Sequence, residues 1–184
     1  AAAYRFAQGH PVQLPPLDAN GQGTQTLQLD RPLDFAALTD HSEYFAEVQS
    51  CTDPTSPAYD TSTCQQFRIG GAESIVLWGL GLTSNDPAHI RQICSPSRVD
   101  CSEVSQDVWT RIQQAAEDAY DRTDACTFTS FVAYEYSNAN GISNFHRNVI
   151  FRNATVPARV TTVFDAPTPQ DLWAALHTDC LDTD

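Results

Sequence analysis

Lysine and methionine are absent from this chain. All ten of its basic residues are arginine, set against 23 carboxylates, for a formal net charge of −13. A field of that sign repels a phosphate backbone, so no nucleic-acid partner is expected. It suits solubility, including in a salty medium, and a site that attracts cations. No apolar run approaches the ~20 residues that a bilayer-spanning helix needs, so no transmembrane segment is expected. The cysteines never fall in a C-x-x-C spacing, which argues against a zinc ribbon or a thioredoxin-like centre. A G-x-S-x-G elbow is missing, which weakens a serine-hydrolase reading. Walker and G-x-G-x-x-G phosphate-binding patterns are missing too; Gly79-Leu80-Gly81 lacks the rest of that fingerprint. There is no initiator Met and no signal peptide, and Ala1-Ala2-Ala3-Tyr4-Arg5-Phe6 reads as the middle of a helix. The chain is therefore expected to be the central portion of a larger or processed polypeptide.

What is present is enough for a folded domain. The 184 residues are 41% hydrophobic, which suffices for one domain with a core. Six cysteines, Cys51, Cys64, Cys94, Cys101, Cys126 and Cys180, lie in loop-like sequence. An even count in that setting favours disulfides and an oxidising compartment, periplasmic or secreted. Six cysteines allow 15 pairings. The preferred set is Cys51–Cys64 and Cys94–Cys101, which close short loops rich in Pro, Ser and Thr, with Cys126–Cys180 as the leftover pair.

Along the chain, residues 1–8 read as a helix end stopped by Gly9 and Pro11. Residues 10–30 read as loop or a short hairpin. Residues 33–39 predict a largely buried strand, followed by a short helix over 42–48. Residues 50–66 and 84–104 are long loops stapled by cysteines, around an apolar, glycine-interrupted helix over 72–82. Ser105 predicts the N-cap of a helix over 106–122, with Val108, Ile112, Ala115, Ala116 and Ala119 on its buried face. A strand over 127–136, a turn over 137–144 and a strand over 145–152 predict a hairpin. Thr168, Pro169 and Asp171 occupy the N-cap, N1 and N3 positions of a last helix, whose apolar side is Leu172, Trp173 and Leu176.

Three stretches carry candidate chemistry. Leu33-Asp34-Phe35-Ala36-Ala37-Leu38-Thr39-Asp40-His41 is an apolar run ending in a carboxylate and an imidazole. Neighbours on a strand point to opposite faces, so Asp40 and His41 reach one site only where the strand ends and turns. His41 then reads as a metal ligand, and Asp40 as a ligand or a partner behind it; the plainer reading is a pair that caps the next helix. Glu135 ends an apolar strand, where a carboxylate is costly unless paired, hydrogen-bonded or bound to a cation, or else simply solvated. His146 opens the following strand, and alternation places Asn148 on its face as a companion; alone, it reads equally as a structural histidine. His10, His89 and His177 read as structural or exposed.

In order, these pieces resemble a known family. Arg31-Pro32-Leu33-Asp34-Phe35-Ala36-Ala37-Leu38-Thr39-Asp40-His41-Ser42-Glu43 resembles the second motif of the PHP-type metal-dependent hydrolases, in the secreted branch known as DUF3604. Cys126-Thr127-Phe128-Thr129, Tyr134-Glu135-Tyr136-Ser137 and His146-Arg147-Asn148-Val149-Ile150-Phe151 fit the same branch, so the resemblance runs through most of the chain. It implies an α/β fold that is part of a distorted (β/α)7 PHP-like barrel, a single partial domain over 1–184. It also implies two or three divalent metal ions (Zn, Mn or Fe) in the complete protein. His41 would bind one metal, Glu135 would bridge two, His146 would bind a second, and Asp40 would belong to the same catalytic set. The family's opening His-x-His pair and its last His and Asp ligands are absent from this chain. The implied activity is metal-assisted hydrolysis of a small anionic substrate such as a phosphoester, the metals acting as Lewis acids that activate water. The alternative is a non-catalytic structural or binding subunit, with a protein partner, that retains the fold without the chemistry.

Overall fold

The computed structural model describes residues 2–83, 87–140 and 143–181. Six helices and six strands follow one another in a mixed α/β order, and the strands form three separate two-stranded sheets. No closed barrel is formed among the described residues. The chain divides into two compact units.

The first unit comprises residues 1–39, 112–133 and 150–155. Helix α1 (Ala2–Ala7) ends where the sequence predicts, at Gly9, whose φ of 85° suits a residue without a Cβ. The segment after it is a hairpin of β1 (Val12–Leu17) and β2 (Gly23–Leu27), antiparallel, with Val12 opposite Leu27. Strand β3 (Phe35–Ala37) pairs in parallel with β4 (Thr129–Phe131), Phe35 opposite Thr129. The predicted strand over 33–39 is thus shorter than expected and not buried, since Phe35 is 65% exposed. An apolar run shows that a segment prefers apolar neighbours, and here the pairing covers only one of its edges. Tyr4 anchors the unit: its ring meets Phe128 edge-on at 6.4 Å, and its hydroxyl donates to the Phe131 carbonyl at 3.0 Å.

The second unit comprises residues 40–111, 134–149 and 156–184. Its core gathers Ala46, Cys51, Ala58, Cys64, Ile93, Val99 and Cys101. Helices α2 (Phe45–Thr52) and α3 (Ser62–Ile69) are bonded through Cys51–Cys64, and Cys94–Cys101 closes the next loop. Both match the predicted short-range pairs. The third expected pair is corrected: Cys126 and Cys180 are exposed free thiols. Cys126 occupies a left-handed corner (φ 44°) of a loop tied by Asp121, which accepts from the backbone and hydroxyl of both Thr123 and Thr127. Those bonds hold the Asp121 carboxyl well below its usual range. Cys180 lies on the last helix, and its pairing rested on elimination alone.

Helix α4 (Ala72–Leu82) follows α3, and α5 (Cys101–Ala119) follows the second disulfide. Ser105 is not the cap of α5. Asp100 is, its Oδ1 accepting from the Ser102 and Glu103 amides at 3.0 and 3.3 Å. Trp109, absent from the predicted buried face, is fully buried and donates through its indole N–H to Pro157 at 2.8 Å. Strands β5 (Ala133–Asn140) and β6 (Ser143–Ile150) form the predicted hairpin, but the expected turn over 137–144 is mostly strand. Residues 141 and 142 of that turn lie outside the described residues. Helix α6 (Pro169–Leu181) begins with the predicted reciprocal cap. Asp171 N donates to Thr168 Oγ1 at 3.2 Å, and Thr168 N donates back to Asp171 Oδ2 at 3.1 Å. Leu172 is buried as expected, but Trp173 is exposed.

Candidate functional site

The site lies within the second unit, where the segment after β3 meets β5. His41 and Glu135 form an isolated parallel bridge. Glu135 N donates to the Asp40 carbonyl at 2.8 Å, and Ser42 donates to the Glu135 carbonyl through both its amide (3.0 Å) and its hydroxyl (2.9 Å). Three hydrogen bonds, two from backbone amides and one from a hydroxyl, therefore fix the two chain segments in register at the point where the apolar run ends. Ser42 is buried, and the chain turns just after it at Glu43 and Tyr44.

His41, Glu135 and His146 come together there, their ligand atoms all within 4.8 Å of one another. His146 Nδ1 contacts Glu135 Oε1, and His41 Nδ1 lies 3.7 Å from the same oxygen. The two imidazole rings meet edge-on at 5.3 Å. Asp40 is exposed, and what it contributes is its main-chain carbonyl; its carboxylate is not in this group. Asn148 shares the face of His146, as alternation requires, but no hydrogen bond joins them among the described residues.

Two residues that the sequence reading passed over complete the cluster. Ser137 Oγ lies 2.8 Å from His41 Nδ1, 3.0 Å from His146 Nδ1 and 3.4 Å from Glu135 Oε1. It takes the place expected for Asn148. The signal was available: Ser137 is two residues beyond Glu135, so on a strand both point the same way. Glu43, which falls in the short helix expected over 42–48, is buried, 2% exposed. Its Oε1 accepts from the Ser137 amide at 2.5 Å, while its Oε2 has no hydrogen-bond donor and sits 3.6 Å from His41 Nδ1. Burial pushes the Glu43 carboxyl above its ordinary range, against the opposing pull of the Ser137 N–H and of His41.

A count of protons against lone pairs defines the chemistry. Ser137 has one hydroxyl proton to give, and Glu135 and Glu43 in their charged forms can only accept. Two imidazole Nδ1 atoms, whose donor or acceptor role depends on the tautomer, the Glu135 carboxylate and the unsatisfied Glu43 Oε2 face the same small volume, and with both Nδ1 atoms unprotonated the acceptors outnumber the donors. A divalent cation answers such an excess, and nitrogen and oxygen donors of this kind suit Zn or a neighbouring first-row metal. The residues present therefore fit a metal ion. The cluster is open to solvent on the histidine side, with the His41 and His146 side chains 61% and 49% exposed. A second grouping of Glu47, Cys94 and Cys101 does not fit, because both sulfurs are in a disulfide.

Glu47 has its own partner. It is fully buried, and its Oε1 accepts from His89 Nδ1 at 2.8 Å and from the Ile90 amide at 3.1 Å. Burial of the His89 ring disfavours its charged form, but the hydrogen bond and charge of Glu47, with Asp165 beyond, outweigh that and raise its pKa above the ordinary value. His89 is thus a structural histidine with a defined task. His10 and His177 are exposed.

The fold and the site together define an acidic α/β protein with a histidine–carboxylate cluster at the joined ends of two parallel chain segments. The chain belongs to the family described as "Protein of unknown function (DUF3604)", whose family model matches residues 1–184. Neither the curated proteins nor the solved structures contain a match.

Proposed function

We propose that this chain carries part of the active site of a secreted or periplasmic metal-dependent hydrolase of the PHP type, phosphoesterase-like in its chemistry. The fold it would belong to is a distorted (β/α)7 barrel. The observation that carries the reading is the convergence of metal-ligating groups at one point: His41, Glu135 and His146 together, with the orphaned Glu43 Oε2 behind them. Two disulfides suit an oxidising compartment.

His41, Glu135 and His146 would hold the metal, which when bound supplies Lewis-acid activation of water and of a phosphoryl oxygen. The chain's own residues do the rest. The Ser137 hydroxyl lies within hydrogen-bond distance of both Nδ1 atoms and of Glu135; it donates its one proton to one of them and accepts from a ring N–H, which orients the rings. Glu43 keeps a carboxylate oxygen poised 3.6 Å from His41 Nδ1, where it would steady positive charge gathered at the cluster. The exposed sides of both histidines leave room for a substrate to approach.

The test is metal analysis and turnover in the complete protein. Zn, Mn or Fe should co-purify, and His41→Ala and His146→Ala should each abolish metal-dependent hydrolysis of aryl and alkyl phosphates. Unchanged turnover in either variant removes that residue from the site.

A further inference from the structure

The cluster does not open onto bulk solvent alone. Four of its members, His41, Glu43, Ser137 and His146, line a cavity of about 690 Å³. That volume lies within the roughly 300–1,000 Å³ typical of small-molecule sites. The rest of the wall is mostly apolar: Val48, Phe67, Val76, Trp78, Leu80 and Ala139. The aromatic part is built. Phe67 stacks on Trp78 at 4.5 Å and 22°, Tyr44 meets Trp78 edge-on at 5.3 Å, and the Tyr44 hydroxyl donates to the Trp78 carbonyl at 3.1 Å. Gly81 of α4 allows that approach, since a Cβ there would stand 2.6 Å from the Tyr44 hydroxyl.

Two features of this wall identify its ligand. Val48, Val76 and Leu80 are 41%, 55% and 58% exposed, so the cavity presents apolar surface to water that an apolar ligand would remove from it. None of the ten arginines lines it, so nothing along the wall would neutralise a charge on the ligand. Thr83, Asn138 and Asn144 also line the cavity, but along Val48, Phe67, Val76, Trp78 and Leu80 a sugar phosphate or a polyphosphate would lay hydroxyls or charge against side chains that cannot pair with them. We infer that the substrate is an ester of an apolar alcohol, aryl or medium-chain alkyl, whose anionic ester group sits at the His41–Glu135–His146 cluster and whose tail lies between Trp78 and Leu80. The substrate class rests on the hydrolase reading above; the apolar binding site does not.

The experiment has two arms on the full-length protein. In the first, with Mn²⁺, phosphate release is measured from ethyl, butyl and octyl phosphate. Each methylene buried is worth about fourfold in binding, so kcat/KM for octyl phosphate should exceed that for ethyl phosphate by at least about a hundredfold. In the second, in EDTA, the neutral dye N-phenyl-1-naphthylamine is titrated by fluorescence. Wild type should bind it, and Leu80→Glu and Val48→Glu, both at exposed positions that leave the core intact, should weaken it at least about tenfold. Turnover without a chain-length preference overturns the inference, as does dye binding that neither variant weakens or an absence of dye binding. Dye binding lost in the variants, with no ester hydrolysed, keeps the apolar site and ends the hydrolase reading.

Discussion

Glu43 offers a test in which the effect depends on the metal. Its carboxylate is buried, receives one hydrogen bond from Ser137 N at 2.5 Å, and leaves Oε2 without a donor beside His41 Nδ1. A buried polar atom left unsatisfied costs about 1–3 kcal/mol. Glu43→Gln keeps an oxygen for the Ser137 amide and replaces the orphan oxygen by an NH₂ donor facing His41 Nδ1. In EDTA the variant should therefore be more stable than wild type, by up to that amount. With metal that advantage should shrink or reverse. Loss of a carboxylate that supports a metal ligand weakens metal affinity about 10–100-fold. A metal at 100 times its Kd stabilises wild type by about 2.7 kcal/mol, and a hundredfold weaker site leaves about 0.4 kcal/mol. At about 2–4 °C per kcal/mol for a chain of this size, the Mn²⁺-induced gain in Tm should fall from about 5–11 °C to about 1–2 °C. Differential scanning fluorimetry of both proteins, in EDTA and in a Mn²⁺ series, reads both effects. An equal Mn²⁺-induced gain in the two proteins, or a loss of stability in EDTA, refutes the reasoning.

Two further tests address the frame around the site. His89→Ala should cost about 1–3 kcal/mol by leaving the buried Glu47 Oε1 with only the Ile90 amide. Because the folded pKa of His89 lies above its ordinary 6.5, the contribution of its charge is fully present below that value and is lost as pH rises through the folded pKa. Urea midpoints across pH 5.5–9 should show the gap between wild type and His89→Ala narrowing as pH rises; a gap that widens contradicts the pairing with Glu47 and Asp165. The double substitution Cys51→Ser, Cys64→Ser opens a loop with a sequence separation of 13 between two fully buried positions. It should destabilise the protein by about 3 kcal/mol, measured as the denaturation midpoint under non-reducing conditions, with no change expected in the cysteine-closed loop 94–101.

Local chemistry was legible in the sequence to the extent that one residue's neighbours decided it. The Thr168–Asp171 cap, the Gly9 stop, the β5–β6 hairpin and the two short-range disulfides all follow from spacing over a few residues. The reading failed where the deciding partner was remote in sequence or competed locally. Ser105 looked like an N-cap, but Asp100 reaches the first amides of α5. The run over 33–39 looked buried, but only one edge of β3 is covered by pairing. The candidate site shows the same division. Apolar runs ending in His41 and Glu135, with His146 after a turn, marked three members, because burying such groups demands a reason. Glu43 and Glu47 left no such mark: they lie four apart in the short helix expected over 42–48, where a carboxylate is ordinarily solvated, and only tertiary packing makes them buried carboxylates.

The acidity of the chain and the composition of the cavity belong to one argument. With no lysine, and no arginine along the cavity wall, the protein brings no fixed positive charge to an anionic ester. On the proposed reading the wall would supply attraction without charge, through Phe67, Trp78 and Leu80, and an area-dependent attraction of that kind would select the alcohol of the ester rather than its acid. Charge neutralisation then falls to whatever cation the His41–Glu135–His146 cluster holds. Affinity and reactivity would be divided between two adjoining surfaces: one removes apolar area from water, the other gathers lone pairs around a cation. A fixed arginine at the cluster would compete with that cation for Glu135 and Glu43. The absence of one from the cavity lining is therefore a condition for this chemistry rather than a gap in it.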